Sequence, residues 1–372
     1  MKLAIARPGY FTEKRFEPSM QTNWMNYDLL TDALKKYDID VTTIGFSDRF
    51  GADRVISITG LGDVVHDPKH YRTKTQQAVT SSIMLEENDG LLDGVDFLLM
   101  PYYTFFEERC HYYTLAYLAA ERDIPLFIWD TDANFIGQSG VSNYHYTIRQ
   151  ARDRVFKDPV YVNPDIIDIS VIDDLQLHVL SPALDAPVYV TYFPFFHIFG
   201  RKLSWGEYAK AHDVVYAGSQ YQREDAFLRY YNTHKYEISV VGKYKKEFME
   251  KWGLSKTAYA GHLGRKHVQR FLASGKVCVH IARDFYCKIG HVTPRVYEVV
   301  DSGTLLLVDG SLKYANRIVG DRYVVNSVED VLYWVNRPDG ALEREWKIQS
   351  ESPFIIDATV DVNARLLYEA MK

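Results

Sequence analysis

The stretch PRVYEVVDSGTLLLVD, residues 294–309, decides the fold. Proline suits the first position of a helix, because the amide proton it lacks would be unbonded there anyway. Arg295–Asp301 then reads as a helix, Ser302 and Gly303 as its stop, and Thr304–Asp309 as an apolar strand. The same unit recurs on both sides. Upstream, the pattern predicts strands at Asp213–Gly218, Tyr236–Val241 and Val277–Ala282, with helices at Gln222–Tyr231 and His267–Ser274. Downstream, Glu329–Asn336 reads as a helix. Strands joined by helices of about ten residues call for parallel sheets with right-handed crossovers.

The first half of the chain shows a similar alternation. Leu3–Ala6, Val41–Phe46, Asp96–Met100 and Leu126–Trp129 have strand length and character. Trp24, Leu29, Leu30, Ala33 and Leu34 share a helical face, and Glu107–Arg122 fits a second helix. Residues 48–92 read as a long polar excursion, the kind of segment that often carries function. Asn163–Pro187 holds five aspartates and no lysine or arginine, with room for a short strand at Ile166–Val171. Ser181–Pro187, with two prolines, approaches a linker near residue 190. The fold class is therefore α/β, with two Rossmann-like doubly wound domains facing a central cleft. The first is expected over 1–192, rejoined by 350–372, and the second over 193–349.

A chain of 372 residues suits two such domains. Its composition, 47% hydrophobic and 25% charged, excludes disorder as the main state. Cys110, Cys278 and Cys287 are odd in number and widely spaced, which argues against a disulfide framework or a zinc finger and for a reducing cytosol. The short run Leu3–Ala6 reads as a buried strand, not a signal peptide. The longest apolar run, Pro187–Phe199, is too short to span a bilayer, which takes about 20 residues. A soluble, cytoplasmic protein is expected.

Three strand-end turns carry glycine: YAGS (216–219), VVGK (240–243) and YAGHLG (259–264). Small residues there let backbone N–H groups approach a phosphate at the next helix N-terminus, although for any one turn taken alone a tight bend is the better explanation. No complete G-x-G-x-x-G or Walker A motif is present, so dinucleotide and ATP sites lose support. Arg295 and Glu298 stand three apart on one helical face. An arginine there can clamp a diphosphate bidentately, and a glutamate can accept both ribose hydroxyls. Together they suit a sugar nucleotide, and equally an ordinary surface ion pair. Asp130 and Asp132 follow the strand in FIWDTDANF (127–135). One of them can deprotonate a hydroxyl acceptor, the pair can hold a divalent metal, or either can cap the next helix.

These residues resemble a known family. DVVYAGSQYQR (213–223), VVGKYKKEF (240–248), the AGHLG turn and above all residues 294–336 are similar to the DNA β-glucosyltransferases of T-even phages. The likeness is good over about 210–337 and faint elsewhere. It implies a GT-B architecture and inverting transfer of glucose from UDP-glucose to 5-hydroxymethylcytosine in double-stranded DNA, helped by Mg²⁺ or Mn²⁺. It further implies action as a monomer in the host cytoplasm during phage infection. By this resemblance Arg295 contacts the diphosphate and Glu298 the ribose, while Ser219 and Arg223 reach the phosphates. Gly242 and Lys243 lie beside the nucleotide, and the backbone of His262 and Leu263 reads the uracil edge. Asp130 is the general base, with Asp132 its rival and also the metal candidate. Two departures matter. Gln220–Tyr221 replaces a family arginine in a shorter loop, and Gln21 replaces a glutamate that lies near the sugar. Arabinose therefore stands beside glucose as the sugar. The longer excursion at 48–92 leaves hydroxymethyluracil open as the base.

A target base inside a duplex must flip out, and Tyr102, Tyr103, Phe105, Phe106, Tyr112, Tyr113, Tyr144 and Tyr146 can stack on it or simply fill the core. The net charge of −6 argues at first against DNA. It hides a split. Residues 229–276 carry eleven basic residues against three acidic ones, a net +8 that leaves −14 elsewhere. Lys69, Arg72 and Lys74 form a second basic loop, and Arg149, Arg152 and Arg154 a third. Tracking phosphates needs such clusters and not a basic mean, although the same clusters serve as solvated faces. A GT-B enzyme acting on a small molecule or glycan, and a non-catalytic binding module, are the competing readings.

Overall fold

The computed structural model describes residues 1–6, 29–45, 52–55, 88–101, 109–130, 175–186, 190–194, 201–252 and 258–372. The chain divides into two compact units. One comprises Met1–Pro182, Ala186–Phe193 and Ala364–Lys372; the other comprises Ala183–Asp185 and Pro194–Asn363.

The first unit is built on seven strands: β1 (Lys2–Ala6), β2 (Asp40–Gly45), β3 (Arg54–Val55), β4 (Phe97–Pro101), β5 (Leu126–Trp129), β6 (Leu177–Ser181) and β7 (Val190–Tyr192). Their order is β3-β2-β1-β4-β5-β6-β7, and every ladder is parallel. Leu3 lies opposite both Val41 and Phe97, so β1 is a central strand. Its apolar run is fully buried, as a parallel strand covered on both faces must be. Helix α1 (Arg109–Glu121) lies between β4 and β5 in sequence and buries Leu115–Ala120. Strand order reverses between β1 and β4, which sets the switch point of this sheet.

The second unit carries five parallel strands: β8 (His212–Ala217), β9 (Ile238–Val241), β10 (Gly275–His280), β11 (Leu305–Asp309) and β12 (Val324–Val325). Their order is β12-β11-β10-β8-β9, with the switch point between β8 and β10. The expected helices appear as α2 (Glu224–Tyr231), α4 (Arg265–Ala273), α6 (Pro294–Asp301) and α8 (Val328–Val335). Helices α3 (Lys246–Trp252), α5 (Asp284–Ile289), α7 (Ala315–Val319), α9 (Asp339–Ser350), α10 (Pro353–Ile356) and α11 (Val360–Ala370) complete the chain.

An aromatic cluster fills one face of the second sheet. Phe227 meets Tyr216, Phe248 and Trp252 edge-on, with ring centroids 4.9 to 5.6 Å apart. Three buried rings have their polar tips satisfied: Tyr231 donates to Val279 O at 2.6 Å, Tyr230 to Val325 O at 2.9 Å, and Trp252 Nε1 to Tyr231 O at 3.0 Å. On β11, the ladder with β12 reaches only Val308 and Asp309. Leu306 would be left with a bare outer edge. The buried Gln349 side chain of α9 closes it, accepting from Leu306 N at 2.9 Å and donating to Leu306 O at 2.7 Å. Gln349→Leu should therefore strand two buried backbone groups and cost about 2–4 kcal/mol. That is a fall of roughly 5–12 °C in the thermal midpoint. An unchanged midpoint would mean that water reaches Leu306.

Candidate functional site

The carboxyl ends of β8, β9 and β10 meet the N-terminus of α6 beside the switch point of the second sheet, where open α/β sheets bind ligands. Close backbone packing shapes this edge. Gly218 follows β8 and Gly242 follows β9, and Gly218 N donates to Val241 O at 2.9 Å. Gly242 has a φ of +152°, and a Cβ placed on it would lie 1.7 Å from Gly218 O. Only glycine permits that approach. Gly242 N in turn donates to Gly261 O at 3.0 Å, which ties the VVGK turn to the AGHLG turn. His262 and Leu263 stand in that second turn, His262 exposed and Leu263 half-buried, just before α4. Ser219 is half-buried and Lys243 exposed on the same edge.

Arg223 caps the entry to α2 by position, with no side-chain capping bond. Its guanidinium turns inward instead. Nη1 donates to Tyr216 Oη at 3.0 Å and to Ile281 O at 3.3 Å, which holds it across the ends of β8 and β10. Arg295 approaches from α6. Thr293, the N-cap of that helix, makes no side-chain cap bond, so its first amides are not satisfied by a cap. Arg295 Nη1 lies 2.7 Å from Glu298 Oε2. Glu298 is only 3% exposed and Arg295 23%, so the pair is largely removed from water. The sequence spacing allowed a solvated surface pair; burial excludes that form of it. In this structure the two residues expected to divide a nucleotide between them hold each other.

Further residues complete this edge, and of these His280, Tyr244 and Arg283 were not singled out in the sequence. His280 ends β10, buried, with neither ring nitrogen hydrogen-bonded. Burial first, then Arg223, Arg295 and His291, push its imidazole down to about 3. The Tyr244 hydroxyl is buried without a hydrogen-bond partner, and burial raises that phenol far above its usual range. Gln220, the departure from the family arginine, is buried with an unpartnered Oε1. Arg283, at the start of α5, stacks over Tyr221 and Tyr286 at 5.5 and 5.2 Å. The signal that could have found His280 and Arg283 is their position, since both stand at the carboxyl end of the β10 run.

Asp130 belongs to the first unit. It follows β5 directly, is fully buried, and its backbone N–H bonds Leu180 O at 2.8 Å. The neighbouring Trp129 packs edge-on against Phe193 at 5.6 Å. Asp132, Gln21, Lys69, Arg72, Lys74, Arg149 and Arg152 lie outside the described residues, as do the aromatic residues at 102–106, 144 and 146. Among the described residues no group of three acidic, cysteine or histidine side chains can hold a metal ion.

The basic segment is partly neutralised by acids that lie outside it in sequence. Lys276 pairs with Asp213 at 2.8 Å, Arg229 with Asp309 at 3.5 Å, and Lys235 with Glu329. Lys246 pairs with Glu250 inside the segment at 3.7 Å. Lys243, Lys245 and Lys251 are exposed and form no ion pair among the described residues. The +8 counted along the sequence therefore overstates the local field. Among the described residues, no helix is long and apolar enough to cross a membrane.

Comparison with known proteins places the fold. No family model matches the sequence, and no curated protein matches it. Solved structures do match. T4 phage β-glucosyltransferase, in a structure describing substrate binding and a proposed catalytic mechanism, superposes with a TM-score of 0.60. The identity is 15%, over 100% of this chain and 99% of that one. The same T4 phage protein in complex with UDP and Mn²⁺ gives 0.61 at 17% identity, with 100% of both chains covered. The UDP complex of MnaA from S. aureus gives 0.51 at 11% identity, over 100% of this chain and 96% of that one. The chain thus has the α/β GT-B architecture, with two parallel sheets, and resembles the phage enzyme remotely.

Proposed function

We propose that this chain is a UDP-sugar-dependent glycosyltransferase that modifies a 5-hydroxymethylated pyrimidine in DNA. The convergence of Arg223, Arg295 and Glu298 beside the switch point of the second sheet carries this reading. Two guanidiniums and an uncapped helix N-terminus suit a diphosphate, and a carboxylate one helical turn away suits a ribose. The likeness over the whole chain to a phage β-glucosyltransferase described as a DNA-modifying enzyme supports the same donor and a DNA acceptor.

The reaction is a direct displacement with inversion. Asp130 takes the proton of the acceptor hydroxymethyl group as its oxygen attacks the anomeric carbon of the sugar. The bond from that carbon to the diphosphate oxygen breaks, and the electron pair leaves with UDP. Arg223, Arg295 and the α6 N-terminus hold the growing charge. Ser219, Gly242 and Lys243 line the donor side, and the backbone of His262 and Leu263 reads the uracil edge of the donor. Mg²⁺ or Mn²⁺, if bound with the diphosphate, would add positive charge at the leaving group. Glucose is the proposed sugar and 5-hydroxymethylcytosine the proposed base, and a monomer acting in the cytoplasm of an infected cell is the proposed setting. Lys243, Lys245 and Lys251, exposed and without an ion pair among the described residues, suit a DNA backbone.

One observation favours a second reading. Pairing of Lys276, Arg229, Lys235 and Lys246 with carboxylates weakens the positive field that DNA would need. A small-molecule or glycan acceptor would then occupy the same catalytic arrangement. One experiment separates the two. The protein is incubated with UDP-glucose or UDP-arabinose and DNA containing hydroxymethylated pyrimidines, and the nucleosides are then weighed by mass spectrometry. A hexose or pentose added to the modified base supports the DNA reading. UDP release only with free alcohols or glycans supports the second, and no UDP release with any acceptor sinks both.

A further inference from the structure

The donor reading does not use His280. This residue ends β10, is 2% exposed, and leaves both ring nitrogens without a hydrogen-bond partner. Val277, Val279 and Ile281 enter the aromatic core, so alternation turns His280 to the opposite face of the sheet. Helix α8 covers the core face through Val331, Trp334 and Val335, whereas α6 packs on β10 and β11 from the other side. His280 therefore faces the N-terminal end of α6. The groups around it are Arg223 from the turn before α2, Arg295 from α6, and His291 from the segment between α5 and α6. Glu298 on α6 pairs with that Arg295 at 2.7 Å, and Cys278, two residues back on β10, keeps its thiol protonated because burial pushes it up to about 12.

A neutral imidazole brings one donor and one acceptor, and neither is matched here. Buried polar groups left in that state are exceptions that call for a role. The surroundings define one. Two guanidiniums and an uncapped helix N-terminus suit an anion, and an anion held there supplies both the acceptor oxygens and the negative charge that the imidazole lacks. We infer that His280 is a further anion-binding residue of the donor site, neutral while Arg223 and Arg295 hold no ligand and protonated when a nucleoside diphosphate lies against them. The proton comes from solvent, and the imidazolium then donates a ring N–H towards the bound anion. This inference rests on the donor reading above.

Calorimetry with UDP-glucose tests it, because the diphosphate of that compound is a diester with no proton titrating near neutrality. Titrations at pH 6 to 8, in buffers of different ionisation enthalpy, count the protons taken up. The wild-type protein should absorb a growing fraction of one proton per site as the pH falls. Its affinity should rise with it, by at most about tenfold per pH unit. His280→Asn, or His280→Gln if the first variant is unstable, should still bind but with no uptake and a flat pH profile. Binding without proton uptake by the wild type, or uptake that survives in the variant, overturns the role of His280 and leaves the donor reading standing. Failure of the wild type to bind any uridine nucleotide overturns the donor reading and this inference with it.

Discussion

Asp130→Asn is expected to leave the fold and donor binding intact while lowering sugar transfer by about a hundredfold or more. Asparagine has the size of aspartate and keeps an oxygen acceptor, but it cannot take a proton. The backbone amide at this position bonds Leu180 O through the chain itself, so β5 and β6 stay joined whatever the side chain. The donor residues Arg223, Arg295 and Glu298 belong to the other unit, so UDP affinity should not move. The signature of a base is thus a fall in kcat with an unchanged dissociation constant for UDP-glucose and an unchanged thermal midpoint. If the variant turns over normally, the base lies elsewhere, and Asp132→Asn becomes the deciding substitution. If stability falls along with activity, Asp130 acts through the fold and not on the acceptor.

Legibility in the sequence followed the chemistry of burial. The second unit announced itself because its strands are uniformly apolar and its helices begin with clear signals. Pro294 opens α6, and Ser327 with Asp330 forms a reciprocal cap at the start of α8. Strand β6 stayed hidden, because LHVLS sits in an aspartate-rich stretch and carries an exposed His178 as its second residue. Strand β7 is only three residues long and lies inside the longer apolar run Pro187–Phe199, so no boundary marks it. Helix α9 is mostly polar, and its contribution at Gln349 consists of two hydrogen bonds to a strand 43 residues away, which no local pattern encodes. The same holds at the site. Arg295 and Glu298 could be paired by helical spacing, but their burial could not be foretold. His280 looks like any residue of the strand VCVH until the sheet order puts it beside two arginines. The local field of the basic segment is not legible along the chain for a related reason: Asp213, Asp309 and Glu329 neutralise part of it from outside its span.

Replacing Arg295 should produce two separable losses. Glu298 is 3% exposed and has the Arg295 guanidinium 2.7 Å away, so Arg295→Ala takes from a buried carboxylate its counter-charge. Breaking one side of such a pair costs about 3–5 kcal/mol. The nearly dry surroundings of the carboxylate place this variant well above the scale of an exposed pair, and it should show as a clear fall in the thermal midpoint. The second loss is in binding. A charge-assisted hydrogen bond to phosphate is worth about 1.5–3 kcal/mol, so UDP-glucose affinity should fall by roughly 10–150-fold. The two effects have different remedies. Arg295→Met combined with Glu298→Leu removes both charges, and similar-sized apolar replacements of a buried pair are often neutral or stabilising. The double variant should therefore recover most of the lost stability while remaining unable to bind UDP-glucose. Differential scanning calorimetry and isothermal titration on the single and double variants read the two losses independently. Affinity that survives Arg295→Ala would remove the diphosphate from this edge of the sheet. Stability that stays low in the double variant would show that the guanidinium serves the fold by contacts other than its carboxylate.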